Sequence, residues 1–183
     1  MDFIGLLERA FYRLYRRRNV AEYLRSELGA TDGARILDFG GGTGRVSIAL
    51  SATGPETFVV ADPSVEALRC GASALRVRIM GAPGLPFRDG SFHAIFAVDV
   101  FHHVPDAVAT LAECARCLRP GGTLHIVEFD ARARLTKLFG WLVRRQGRSC
   151  RFWTSDHLVG ALERLGFEAQ ATRLERYAVR ATK

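Results

Sequence analysis

Ile36-Leu37-Asp38-Phe39-Gly40-Gly41-Gly42-Thr43-Gly44 places an apolar run, an acid and a glycine-dense turn in immediate succession. Arg45 to Leu50 continues with apolar residues at helical intervals, so the stretch reads as strand, tight loop, helix. Glycine lets such a loop take positive φ and lets a ligand approach the backbone with no Cβ in the way. In open α/β sheets the carboxyl end of a first parallel strand is where cofactors bind.

The spacing narrows the ligand. A dinucleotide fingerprint requires a third glycine to pack helix against strand, and Arg45 occupies that place. A pyrophosphate favours helix N-terminal amides free of nearby negative charge. Asp38 would repel a pyrophosphate and attract an ammonium group. Thr57-Phe58-Val59-Val60-Ala61-Asp62 is a second apolar run ending in an acid, which suits paired hydrogen bonds to ribose hydroxyls. One acid for an amine, one for a ribose and no phosphate cradle point to a nucleoside attached to an amino acid.

With these motifs the chain resembles the class I S-adenosylmethionine-dependent methyltransferases, of the small type 11-like group that acts on free small molecules or lipids. Further matches are Leu85-Pro86-Phe87-Arg88-Asp89-Gly90-Ser91-Phe92, then Phe101-His102-His103-Val104, then Leu118-Arg119-Pro120-Gly121-Gly122-Thr123-Leu124. The resemblance covers Arg35 to Phe129 strongly and the C-terminal third weakly. It implies S-adenosylmethionine as cofactor and S-adenosylhomocysteine as product. It assigns the methionine part to Asp38, Gly40, Gly42 and Gly44, and the ribose to Asp62 with Pro63 beside it. Many relatives carry an adenine-binding acid before the Leu-Pro-Phe motif. Here Met80-Gly81-Ala82-Pro83-Gly84 has none, so backbone groups and apolar packing around Ala82 are expected to hold the adenine. Asp99, at the same sheet edge, is expected to contact cofactor amine or acceptor. His102 and His103 are the candidate catalytic residues, to orient or deprotonate an acceptor; the competing reading has one of them capping local backbone.

The implied fold is a Rossmann-like three-layer α/β sandwich: a seven-stranded, mostly parallel sheet with an antiparallel last strand and helices on both faces. Strands are expected near 35–39, 57–61, 75–80, 93–98, 124–129, 168–174 and 176–181, with a hairpin at Glu175-Arg176. Helices are expected from Asp106 to Leu118 and from Thr154 or Ser155 to Leu165, ended by Gly166. A chain of 183 residues with 48% apolar content fits one domain, 1–183, able to bury a proper core. Residues 1–30 read as a helical cap in which Tyr12 or Tyr15 could cover the cofactor. No apolar run approaches the roughly 20 residues that span a bilayer. The start lacks a signal-peptide cleavage site, so a cytoplasmic location with reduced thiols at Cys70, Cys114, Cys117 and Cys150 is expected.

The formal net charge is +7, and its placement is informative. No acid lies between Asp130 and Asp156, whereas Arg132, Arg134, Lys137, Arg144, Arg145, Arg148 and Arg151 do. Residues 131–153 thus form a basic amphipathic insertion, with Leu135, Leu138, Phe139 and Leu142 expected on one face and Trp141 and Trp153 nearby. Such a helix can lie at a membrane interface, making the protein peripheral to the membrane; the plainer reading packs the stripe on its own domain and leaves the arginines solvated. No recognition module or base-reading motif speaks for nucleic acid.

Cys114 and Cys117 lack a partner pair for a metal and read as small buried residues of a helix; no metal is expected. The expected activity is in-line methyl transfer to a small-molecule or lipid-like acceptor, with the protein aligning reactants and excluding water. Two rivals stand beside it: a nicotinamide-dependent reductase, and a methyltransferase-like domain that binds the cofactor but serves as a regulatory or assembly subunit.

Overall fold

Short apolar runs closed by acids or glycines become the strands of one sheet, and the amphipathic stretches between them become its covering helices. The computed structural model describes residues 18–28, 33–52, 56–70, 75–78, 84–145, 147, 150–173 and 176–183. In chain order these are α1 (Arg18–Leu28), β1 (Arg35–Phe39), α2 (Arg45–Ser51), β2 (Thr57–Asp62), α3 (Val65–Cys70), β3 (Leu75–Arg78), β4 (Phe92–Val98), a 3-10 turn (Phe101–His103), α4 (Ala107–Cys117), β5 (Leu118–Glu128), α5 (Arg134–Arg144), α6 (Ser155–Arg164), β6 (Glu168–Arg173) and β7 (Tyr177–Thr182).

The seven strands run in the order β3-β2-β1-β4-β5-β7-β6. Those from β3 to β5 are parallel to their neighbours, whereas β7 pairs antiparallel with both β5 and β6. This is the expected Rossmann-like sandwich. Strand order reverses between β1 and β4, and the crevice at that switch point is where ligands of open α/β sheets bind.

Alternation along each strand builds two cores. Leu37, Ile95, Leu124, Ile126 and Val179 face Leu111, Cys114 and Cys117 of α4 and Leu158, Ala161 and Leu162 of α6. Ile36, Phe58, Phe96, Val127 and Ala178 face Val20 and Leu24 of α1 and Leu50 of α2. Each large apolar side chain so buried contributes about 1.5–3 kcal/mol relative to exposure. Cys114 and Cys117 are buried free thiols, and burial raises both thiol pKa values. Asp106 caps α4 by accepting from the Ala109 amide at 2.9 Å, and Thr154 caps α6 by accepting from the His157 amide at 3.3 Å.

Two details depart from the sequence reading, and a third adds to it. β5 begins at Leu118 rather than near 124, because Leu118 already pairs with Phe92 before the ladder shifts to Ala94 opposite Thr123. The described part of the N-terminal cap, α1, is a sheet-covering helix, held by an ion pair of Arg25 with Glu56 at 2.7 Å. The rest of the cap, with Tyr12 and Tyr15, lies outside the described residues, as does Ala82. Finally, the stripe expected on one face of α5 is split. Phe139 and Val143 turn inward against Phe129, Cys150 and Phe152, while Leu135, Leu138 and Trp141 are exposed. Among the described residues no helix is long and apolar enough to cross a membrane.

Candidate functional site

Four neighbouring parallel strands each deliver an acid to the carboxyl edge of the sheet. Asp62 ends β2, Asp38 sits one residue before the end of β1, Asp99 follows β4 and Glu128 ends β5. All four are buried. How each carboxylate is satisfied separates their roles.

At β1, Gly40, Gly42 and Gly44 all take positive φ, as the glycine-dense turn requires. The loop is pinned by the Gly40 amide donating to the Ala61 carbonyl at 2.7 Å and the Gly44 amide donating to the Gly41 carbonyl at 2.8 Å. The Gly42 amide donates to Asp62 Oδ2 at 2.9 Å, and the Ser64 amide donates to Asp62 Oδ1 at 2.8 Å. Asp62 is thereby fixed at the lip of the loop, with Pro63 exposed beside it. Asp38 accepts from Ser47 Oγ of α2 at 2.6 Å, and its carboxyl group lies where a Cβ on Gly41 would approach it within 2.4 Å. Only glycine at position 41 leaves room for that acid.

This arrangement bears on the expected ligand. Gly40, Gly41 and Gly42 are half-exposed, so the loop backbone is open to a ligand, while two carboxylates stand at its base and lip. A pyrophosphate would meet negative charge from both. An ammonium group and a vicinal diol are the matching chemistry. The residues present fit an aminoacyl nucleoside.

Beyond β4 the chain makes a tight corner. Asp99 has φ of 58°, a left-handed conformation unusual for a side chain larger than glycine, and its amide donates to the Val127 carbonyl at 2.9 Å. One carboxyl oxygen pairs with Arg176, just before β7, whereas Oδ2 is buried with no hydrogen-bond partner. Burial pushes the Asp99 pKa up, the Arg176 guanidinium opposes that shift, and the Glu128 carboxylate adds to it. A buried acceptor atom without a partner is costly, and a donor supplied by a ligand removes the cost.

Glu128 is fully engaged. Its Oε1 accepts from the Phe101 amide at 2.6 Å, and its Oε2 lies 2.8 Å from Nδ1 of His102. A carboxylate on one ring nitrogen fixes the tautomer and orientation of an imidazole. His102 is 1% exposed, stacked on Phe152 at 4.7 Å between ring centroids. His103 lies 4.0 Å from the His102 ring centroid and is exposed. The two adjacent histidines thus occupy different environments: one a buried, oriented post, the other at the surface above it.

Asp38, Gly40, Gly42, Gly44, Asp62 and Pro63 are gathered around one loop, and Asp99, His102 and His103 follow the next strand at the same edge. Ser47, Glu128 and Arg176 were not singled out from the sequence. Glu128 carried a usable signal, since Ile126-Val127-Glu128 repeats the apolar-run-then-acid pattern of Asp38 and Asp62. Ser47 and Arg176 carried none, because their partners lie 9 and 77 positions away. His125 lies within 3.0 Å of Thr123 Oγ1 on its own strand, and His93 accepts from the Arg35 amide of the neighbouring strand at 3.1 Å.

Comparison with known proteins places this geometry in a family. The family model described as a methyltransferase domain matches residues 12–172. The chain is 39% identical over 119 residues to a demethylmenaquinone methyltransferase of Mycobacterium sp. (strain KMS), covering 64% of this chain and 49% of that protein. It is 35% identical over 104 residues to a ubiquinone biosynthesis O-methyltransferase of Xanthomonas campestris pv. campestris (strain B100), covering 53% and 44%. The chain spans about half the length of the curated relatives it matches. Among solved structures, an S-adenosylmethionine dependent methyltransferase from Mesorhizobium loti superposes with a TM-score of 0.73 at 18% identity, covering 88% of this chain and 96% of that one; the likeness is one of fold.

Proposed function

Since the chain belongs to the methyltransferase-domain family, of the S-adenosylmethionine-dependent class, we propose that it transfers a methyl group to a small apolar acceptor of quinol or lipid-like character. The observation that carries this reading is the 2.9 Å bond from the Gly42 amide to Asp62, which brings the glycine loop and the ribose acid into one site. The two named quinone-pathway relatives support the acceptor class.

S-adenosylmethionine supplies a methyl group already activated on a sulfonium sulfur, so the protein's work is binding, alignment and exclusion of water. Asp62 holds the ribose hydroxyls, and Asp38 with Gly40, Gly42 and Gly44 holds the methionine part. Asp99 offers its unpartnered Oδ2 to the amine or the acceptor. His103 takes the acceptor's proton where the acceptor arrives protonated. His102 is the positioning residue beneath it, oriented by Glu128.

An apolar acceptor is met at a membrane surface. Leu135, Leu138 and Trp141 are exposed on α5, and Arg145 lies over the Trp141 ring at 5.0 Å. With Arg134 and Lys137 on the same helix and no acid from 131 to 155, that face combines apolar insertion with attraction to anionic lipid.

Labelled S-adenosylmethionine incubated with the protein and a panel of quinols, hydroxybenzoates and lipids tests the reading. Label transferred to a quinol-type acceptor is the expected result. Cofactor binding with no label on any acceptor would favour the regulatory role instead.

A further inference from the structure

Beside α5 lies a cavity of about 750 Å³ whose lining includes Thr136, Lys137, Arg144, Cys150, Arg151 and Phe152. Its charge is of one sign. Lys137, Arg144 and Arg151 line it, and no described lining residue is acidic. Two other cavities lined by described residues mix signs, one pairing Asp130 with Arg132 and Arg176, the other Glu168 with Arg180. No acid lies from 131 to 155; Asp130, which precedes the insertion, accepts from the Arg132 amide at 2.8 Å, and Asp156, which follows it, pairs with the Arg132 side chain. Three cations sharing one concavity with no counter-charge among its described lining residues attract an anion and repel one another until it arrives.

Two of the three cations are held by the fold. Arg144 Nη1 donates to the Cys150 carbonyl at 3.0 Å, and the Arg151 guanidinium lies over the Trp153 ring at 4.8 Å. Pre-oriented guanidinium groups of this kind favour carboxylate or phosphate. The cavity also adjoins the reaction edge of the sheet. The Arg151 amide donates to the His102 carbonyl at 2.9 Å, and Phe152, part of the cavity wall, stacks on the His102 ring. Phe152 and Cys150 add an apolar surface to the cationic one.

We propose that this cavity receives an anionic group, a carboxylate or phosphate, carried on the aromatic or lipid-like body of the methyl acceptor. The inference rests on the methyltransferase reading and narrows its acceptor to one whose apolar quinol-like or lipid-like body also carries an acidic group. A phospholipid headgroup presents the same chemistry, but the links through Arg151 and Phe152 to His102 tie the cavity to the acceptor.

Calorimetry on the full chain saturated with S-adenosylhomocysteine tests this with three probes: 3,4-dihydroxybenzoate, catechol and glycerol 3-phosphate. The benzoate is expected to bind at least about ten-fold more tightly than catechol, the scale of one charge-assisted contact. The difference should vanish in the double variant Lys137→Gln, Arg151→Gln, whose affinity for S-adenosylhomocysteine stays that of the parent and so reports an intact fold. Equal binding of benzoate and catechol, or a difference that survives the double variant, overturns the proposal. Binding of glycerol 3-phosphate alone, lost in the double variant, also overturns it and makes the cavity a headgroup site. Absence of heat with S-adenosylhomocysteine in the parent protein would instead strike the methyltransferase reading, a result separate from the probe comparison.

Discussion

A Cβ built on Gly40 lies 2.5 Å from both γ-carbons of Val100. The glycine loop after β1 and the corner after β4 are therefore packed backbone to side chain, at a residue whose φ is +68°. Val100 is β-branched and has little rotamer freedom with which to yield. Gly40→Ala should destabilise the fold by about 2–4 kcal/mol, combining left-handed strain with overpacking. Urea denaturation checks the cost. Adding Val100→Ala should recover the packing part and leave the backbone part. No recovery would mean that the two loops are not coupled through this contact.

His103→Ala should lower kcat by about 100-fold, the lower range for loss of a general base, with S-adenosylhomocysteine affinity unchanged. Glu128→Gln should lower kcat as well, through His102, since an amide presents a donor as well as an acceptor at the two positions where the carboxylate only accepts. Its distinguishing readout is the pH profile of kcat, which a role confined to folding would leave in place. Full activity in both variants would remove the histidine pair from the chemistry.

His125 sets part of the acid sensitivity. Burial, helped by Arg180, lowers its pKa from 6.5 to about 4, and Nδ1 is buried without a partner. The unfolded chain therefore binds the proton first. The stability associated with neutral His125 is complete above the unfolded pKa and is lost as pH falls from about 6.5 toward 4. Urea midpoints measured across that window should fall with pH, and His125→Asn should flatten the fall. An equally steep profile in the variant would assign the acid sensitivity to other groups.

Vesicles containing anionic lipid should sediment the protein, and neutral vesicles should do so weakly, with the difference shrinking in high salt. Leu138→Ser with Trp141→Ser should abolish sedimentation without altering the thermal midpoint by more than a few degrees, since both residues are exposed. Unchanged sedimentation would return α5 to the role of a solvated helix.

The elements of the fold were legible because each is written locally. Asp38 and Asp62 close short apolar runs that the sheet buries on both faces, and Asp106 and Thr154 announce helices. Residues joined across the fold were not. Nothing near Arg176 in sequence announces its ion pair with Asp99, and nothing near Ser47 announces that it donates to Asp38. The early start of β5 depends on where Phe92 stands in a neighbouring strand. The α5 stripe misled for a related reason. Helical spacing sorts residues by angle, but Phe129 and Phe152 decide which angle faces the protein, and they select Phe139 and Val143 over Leu135 and Leu138. Within the site, the acids of β1 and β2 could be read in advance, while the Glu128–His102 pair required knowing that β4 and β5 are neighbours.

Titration of S-adenosylhomocysteine into the protein and into its Asp62→Ala variant bears most directly on the central claim, that the glycine loop and the β2 acid grip one aminoacyl nucleoside. The parent should give saturable one-to-one binding, and the variant should lose about ten-fold or more in affinity, the scale of a hydrogen bond to a charged group. No heat with the parent, or an affinity untouched by the substitution, would contradict the account.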